Sequence, residues 1–177
     1  MHEEKEIGNA PYGKLLTIDF TYGRNSISGF LLLKMENWSL FQFVPVDFQL
    51  DGFVVVNNTH IKQWNRGEPE LFKESVIISK NNEAKYSSEM NISDSKQLFE
   101  YLQEKALLQV ELYRNDLCYV GKITRLRRSS FSFNLLTVRA LWLEKENFTH
   151  KEIWMIYFDN DYLKSLNAYM GKNGFTP

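Results

Sequence analysis

The residues with the clearest capacity for chemistry form a basic strip. Between Leu117 and Leu143 there is no Asp or Glu, yet Lys122, Arg125, Arg127, Arg128 and Arg139 fall within it, and Phe131 and Phe133 follow the first four cations. Guanidinium and ammonium groups hold phosphates and aromatic rings accept stacked bases, so this combination points to a surface for RNA or another single-stranded nucleic acid. On an extended strand Arg125 and Arg127 share one face. The competing reading lays these arginines along the strand wall, with their charges met by acidic residues such as Glu144 and Glu146. A formal net charge of -1 favours the competing reading, because the whole molecule draws no polyanion.

Other reactive groups are scattered. Asp19 and Glu111 could work as an acid and base pair only in a shared cleft, and at outward strand positions they read as solvated charges. His2, His60 and His150 show no metal-ligand spacing. Cys118 is the only cysteine, which excludes intrachain disulfides, and no local motif supplies the base a nucleophile needs. Trp38, Trp64, Trp142 and Trp154 could line a ligand box, but at strand positions aromatics serve as core or cross-strand partners. Gly171-Lys172-Asn173-Gly174 lacks the strand and helix setting of a phosphate loop and reads as a frayed tail. The expectation is no catalytic residue, no metal and no cofactor, hence no enzyme.

The elements that must position the strip come from a repeated pattern. Leu15-Leu16-Thr17-Ile18-Asp19-Phe20 matches Leu107-Leu108-Gln109-Val110-Glu111-Leu112, apolar against apolar and polar against polar, as in two half-buried strands. Turn residues follow in both, Gly23-Arg24-Asn25 and Asn115-Asp116. The next strand of each copy carries an interior glycine, Gly29 and Gly121, at the same offset (121 minus 29 and 107 minus 15 both give 92). Such glycines suit strands bent sharply into a small barrel. Third strands are expected at Trp38 to Val44 and Phe131 to Val138. Asp51-Gly52 then marks a reversal before Phe53-Val54-Val55-Val56. The second copy is read with an extra loop, Glu144 to Lys151, before Trp154 to Phe158, so that Asn58 matches Asn160 at an offset of 102, an insertion of 10 residues (102 minus 92).

Residues 1-66 are thus expected to form a first small β-barrel with an N-terminal tail, 67-92 a polar linker with a short helix starting near Pro69, and 93-177 a helix and a second barrel. That helix starts at Asp94, with Gln97 three residues on and an apolar stripe of Leu98, Phe99 and Leu102. The fold class is mainly β. An apolar fraction of 44% with 24% charged residues is ordinary for a globular chain, and no run is long and apolar enough for a membrane span. Met1 to Ala10 has no basic stretch followed by an apolar core, so a cytoplasmic protein is expected and the Asn-x-Ser/Thr matches carry no weight.

A helix followed by about five strongly bent strands resembles the Sm-like variety of the SH3-like barrel, and the resemblance covers both copies in tandem. The stretch Trp38 to Val56, above all Phe48-Gln49-Leu50-Asp51-Gly52-Phe53-Val54-Val55-Val56, also resembles a group of uncharacterised bacterial proteins with this Asp-Gly-aromatic turn, which implies no activity. The Sm resemblance implies RNA binding and ring assembly. The positions where that family places its RNA-lining Asp and Asn hold Met35 and Ser39 in one copy and Arg127 and Phe131 in the other. The expected function is a non-catalytic binding or interaction protein that self-associates or takes a protein partner. The alternative is RNA or single-stranded nucleic-acid binding through the strip.

Overall fold

In the computed structural model the described residues are 12-21, 26-80, 92-113 and 117-173. They form one open antiparallel sheet of ten strands. The strands are β1 (Leu15–Phe20), β2 (Ile27–Lys34), β3 (Trp38–Val44), β4 (Phe53–Asn57), β5 (Ile61–Asn65), β6 (Leu108–Leu112), β7 (Cys118–Leu126), β8 (Ser130–Leu136), β9 (Trp142–Thr149) and β10 (Ile153–Phe158). The helices are α1 (Glu68–Ser79), α2 (Ser95–Gln103) and α3 (Asp161–Asn173). The order across the sheet is β5-β1-β2-β3-β4-β10-β6-β7-β8-β9, so the chain is mainly β and the sheet is not closed.

The register of the first half recurs in the second at one constant offset. Leu16 pairs with Gly29 and Leu108 with Gly121, and 108 minus 16 and 121 minus 29 both give 92. The same offset carries Leu31↔Phe41 onto Ile123↔Phe133, Val56↔Ser39 onto Phe148↔Phe131, and Ile18↔Trp64 onto Val110↔Ile156. Even the irregularities match, between Leu31 and Leu33 and between Ile123 and Arg125.

This register corrects the strand alignment expected for the second half. The third strand is Ser130–Leu136, one residue earlier than expected at its start. The stretch Glu144 to Lys151 is no inserted loop, because most of it lies in β9, which pairs with β8 as β4 pairs with β3. Trp154 to Phe158 lies in β10 and corresponds to β5, not to β4. The mismatch arose because β4 and β10 are both apolar while β9 is polar, and polarity reports what covers a strand rather than its place in the order.

What joins the halves is the pairing of β4 with β10: Met155↔Val56, Ile156↔Val55, Tyr157↔Val54 and Phe158↔Phe53. Side chains alternate across a strand. Val54 and Val56 therefore face one core, with Leu16, Ile18, Phe20, Leu31 and Phe41. Val55 faces the opposite core, with Leu108, Val110, Ile123, Phe131, Phe133, Ile156 and Phe158. Covered on both sides, β10 is buried along its whole length.

Polar contacts fix this joint. The Asp51 carboxylate accepts a hydrogen bond from the Asp161 N–H at 2.7 Å, holding the β3–β4 turn against the first turn of α3. Gly52 has φ +66, and a Cβ there would lie 2.5 Å from the Asn160 nitrogen. The Asp-Gly pair thus serves the joint as well as the reversal. Asn57 donates to the Ile153 carbonyl at 3.0 Å and to that of His150 at 3.3 Å.

The helices close the cores. In the stretch expected as linker, α1 starts at Glu68, beside Pro69, and packs on β1. Glu74 accepts the Leu15 N–H at 2.8 Å and pairs with Arg66 at 2.8 Å, tying α1 to the edge of the sheet. The rest of that stretch, 81-91, lies outside the described residues, as do the turns 22-25 and 114-116. Asp94 caps α2 by accepting the Gln97 N–H at 2.8 Å, and Leu98, Phe99 and Leu102 are buried as the stripe predicted. Gly171 to Asn173 of the expected tail are instead the end of α3, whose Leu163 and Met170 are buried, and Gly174 lies outside the described residues.

Gly52→Ala is expected to destabilise the protein by more than about 2 kcal/mol, because the added methyl meets backbone atoms that cannot move aside and φ is unfavourable. Gly13→Ala, with φ +70 but nothing within 4 Å, should cost only about 1 kcal/mol, so urea unfolding of the pair separates steric closeness from backbone strain.

Candidate functional site

The basic residues of the second half lie on β7 and the turn beyond it, and the irregularity between Ile123 and Arg125 decides which way they face. Ile123, Phe131 and Phe133 are buried in the core, and Phe131 pairs with Leu126. Their neighbours in the alternation, Lys122, Arg125 and Arg127, therefore share the outer face, Thr124 being the extra residue that restores the alignment. Across the sheet Lys122 pairs with Asn134, and Asn134 with Lys145. Arg125 pairs with Ser132, and Ser132 with Asn147. The outer face of β7, β8 and β9 from Lys122 onward thus holds Lys122, Arg125, Arg127 and Lys145 among Ser130, Ser132, Asn134, Asn147 and Thr149, with no carboxylate in the alternation.

Arg127 is held by neutral groups. Its guanidinium donates to the Ser132 hydroxyl and to the Asn147 side-chain oxygen, each at 3.1 Å, while the Ser132 hydroxyl donates to Asn147 at 2.8 Å. These bonds fix the side chain without cancelling its charge. Among the described residues none of Lys122, Arg125, Arg127, Arg128, Arg139 or Lys145 forms an ion pair, whereas Lys14, Arg66, Lys96 and Lys105 do. The expected pairing with Glu144 and Glu146 is not made.

Phe131 and Phe133 are completely buried, so the stacking role assigned to them is corrected. They are inward residues of β8, and the two-residue period that puts the cations outside puts these rings inside. Arg128 sits in the β7–β8 turn and Arg139 in the β8–β9 turn, both exposed and away from the strand face. Lys145, Ser132, Asn134 and Asn147 escape a reading by sequence runs, because they become neighbours of the arginines only through pairing across the sheet.

The remaining candidates are dispersed. Asp19 accepts from the Asn65 side chain at 2.8 Å, while Glu111 lies across from Cys118 on another part of the sheet. Burial of the thiol and the Glu111 carboxylate push the Cys118 pKa up to about 11. The tryptophans pack separately: Trp38 edge-on to Phe99 at 5.3 Å, Trp154 on Phe20 at 4.6 Å, Trp64 against Phe41 at 5.7 Å, and Trp142 in the core beneath α3. No group of three or more His, Cys, Asp or Glu able to hold a metal occurs among the described residues. No described helix is long and apolar enough to cross a membrane.

Two histidines lie where the halves meet. His60 stacks on Tyr113 with ring centroids 3.7 Å apart, and His150 stacks on Phe99 at 4.0 Å with Trp38 edge-on at 6.4 Å. The Nε2 atoms of both are buried without a hydrogen-bond partner, and burial lowers both pKa values. In comparisons with protein-family models, curated proteins and solved structures, nothing matches the chain.

Two outcomes follow from these environments. Above the ordinary histidine pKa both imidazoles are neutral folded or unfolded. As pH falls below it, the unfolded chain binds protons that the folded chain refuses until its own lower pKa values are reached, so stability drops. The urea midpoint should fall as pH is lowered from about 6.5, and His60→Phe/His150→Phe should flatten that dependence. At neutral pH, alkylation of Cys118 by iodoacetamide should run roughly a hundredfold slower than that of a free thiol, and a rate near the free value would mean an activated cysteine.

Proposed function

We propose that the protein is a non-catalytic binding protein built from two tandem SH3-like, Sm-like small barrels that act as one unit. The observation that carries this reading is the β4·β10 joint. Each five-strand half contributes the sheet edge that the other covers, with Val54, Val55, Val56, Ile156 and Phe158 buried between them. A continuous ten-strand scaffold in which the two halves share one joint suits holding a partner.

The outer edges argue for a partner other than a further copy. At the positions of Phe53, Val54 and Val55, β9 carries Lys145, Glu146 and Asn147, and at those of Trp154 and Met155, β5 carries Lys62 and Gln63 (145 minus 53 and 154 minus 62 both give 92). Charged and polar edge strands resist addition of another strand. Glu144 also stands where the joint requires Gly52, so a β9-to-β5 contact of the same geometry would drive its Cβ into the next chain's backbone.

A second reading, RNA or single-stranded nucleic-acid binding, is supported by the unpaired cations on the outer face of β7, β8 and β9. Recovery of the tagged full chain from native cytoplasm, with and without nuclease, tests both. Protein partners that survive nuclease support the first reading, partners lost with nuclease support the second, and nothing recovered under either condition counts against a binding role. Light scattering across micromolar concentrations should give the monomer mass, and a ring or filament would overturn the edge argument.

A further inference from the structure

The corresponding face of the first half shows how unusual the basic face is. At the offset of 92, Lys122, Arg125, Arg127, Ser132, Lys145 and Asn147 replace Phe30, Leu33, Met35, Leu40, Phe53 and Val55 (122 minus 30 and 147 minus 55 both give 92). Phe30 is buried under α1, and the other five belong to or pack against the core that contains α2 and the second half. On the same scaffold, one face is a packing surface and the other a polar, cationic one. Among the described residues no element packs over the second face, and four cations stand where the first has apolar side chains.

We propose that this face binds the phosphodiester backbone of a single-stranded nucleic acid without reading its bases. This inference rests on the second reading above and specifies its site and mode. The argument is charge complementarity. Residues on one face of a strand recur about every 7 Å, and β7 and β9 lie about 10 Å apart, so the four cations frame a compact patch that spans a few consecutive phosphates. Arg127 is already oriented by Ser132 and Asn147, which reduces the ordering cost of a bidentate contact with phosphate oxygens. Asn134 and Ser130 add uncharged hydrogen-bonding groups between the cations, while the Thr149 hydroxyl already donates to the Glu152 carboxylate at 2.8 Å. The rings nearest in sequence, Phe131 and Phe133, are in the core, so stacking on them contributes nothing and the binding carries no base preference.

The test is fluorescence anisotropy of the full chain with labelled oligothymidylate and oligoadenylate of equal length. Both should bind at low salt with affinities within a few-fold of each other. With about three to four phosphates neutralised, log K should fall against log salt with a slope of about -2 to -3. Lys122→Gln/Arg125→Gln removes two side chains that make no hydrogen bond among the described residues. It should weaken binding at least tenfold and flatten the slope by about 1.4. Lys62→Gln/Lys164→Gln, with the same charge change at exposed positions elsewhere, should change affinity less than twofold. Should the first double variant prove unfolded by circular dichroism, Lys145→Gln at the exposed edge strand replaces it, with a slope change of about 0.7.

Absence of binding at low salt, equal losses in the test and control variants, or a tenfold preference for one homopolymer each overturns the proposal. Capture by the face of an acidic protein segment instead, lost in Lys122→Gln/Arg125→Gln, overturns it as well. Nuclease-resistant protein partners that persist in that variant leave the two-barrel binding role standing while the backbone-binding face fails.

Discussion

The structure depends on one constraint: a strand paired on both edges and covered on both faces has no position at which a polar side chain is cheap. Together β4 and β10 meet that condition, and their sequences, Phe53-Val54-Val55-Val56 and Ile153-Trp154-Met155-Ile156-Tyr157-Phe158, carry no charge. Their pairing places one core on each side of the sheet. Because alternation is strict, a slip of one residue would exchange Val55 with Val54 and Val56 and put each in the wrong core. The register is therefore specified by both cores at once. Asp51, Gly52 and Asn57 then fix what packing has chosen, since each closes a backbone contact that exists only when the two halves are in this register.

Much of this was legible in the sequence where the two halves share an environment. Leu16 and Leu108, Ile18 and Val110, and Gly29 and Gly121 all sit in the same surroundings, so the offset of 92 could be read directly from residue types. The glycines are fixed by close approach: a Cβ would lie 2.7 Å from the Gln42 carbonyl at Gly29 and would collide with that of Asn134 at Gly121. Legibility ended at the fourth strand, where β4 is central and β9 is an edge. Matching by hydrophobicity then paired β4 with β10, its neighbour in space, instead of with β9, its counterpart in order. The same ambiguity hides α3, whose Leu163, Leu166 and Met170 cover a further core with Leu107 and Leu136.

The basic strip was legible as a set of residue types but not as a surface. Arg125 and Arg127 share a face on period alone, whereas Lys122 joins them only because Thr124 is an extra residue at an irregularity, which no local composition announces. Phe131 and Phe133 follow the same period with the opposite phase, and closeness in sequence to the arginines does not tell which face the rings take. Lys145 and Asn147 join the arginines only through the pairing of β8 with β9, which a loop at Glu144 to Lys151 does not provide.

The asymmetry between the halves follows from joining two equivalent units in a line. Each half has an outer face that another half can cover, and among the described residues only that of the first half is covered in this way. Leu33, Met35, Leu40, Phe53 and Val55 are apolar because α2 and the second half lie over them. Among the described residues nothing stands in that relation to the second half, so the side chains there are free of the packing requirement and must instead be compatible with water. Serine, asparagine and threonine would satisfy that requirement alone. Four cations, none in an ion pair among the described residues and one oriented by neutral hydrogen bonds, go beyond it at a cost in mutual repulsion that an uncommitted surface need not bear. The position at which the scaffold would receive its next unit is thus the position at which it carries an uncompensated charge, which ties the search for a ligand to the geometry of the joint itself.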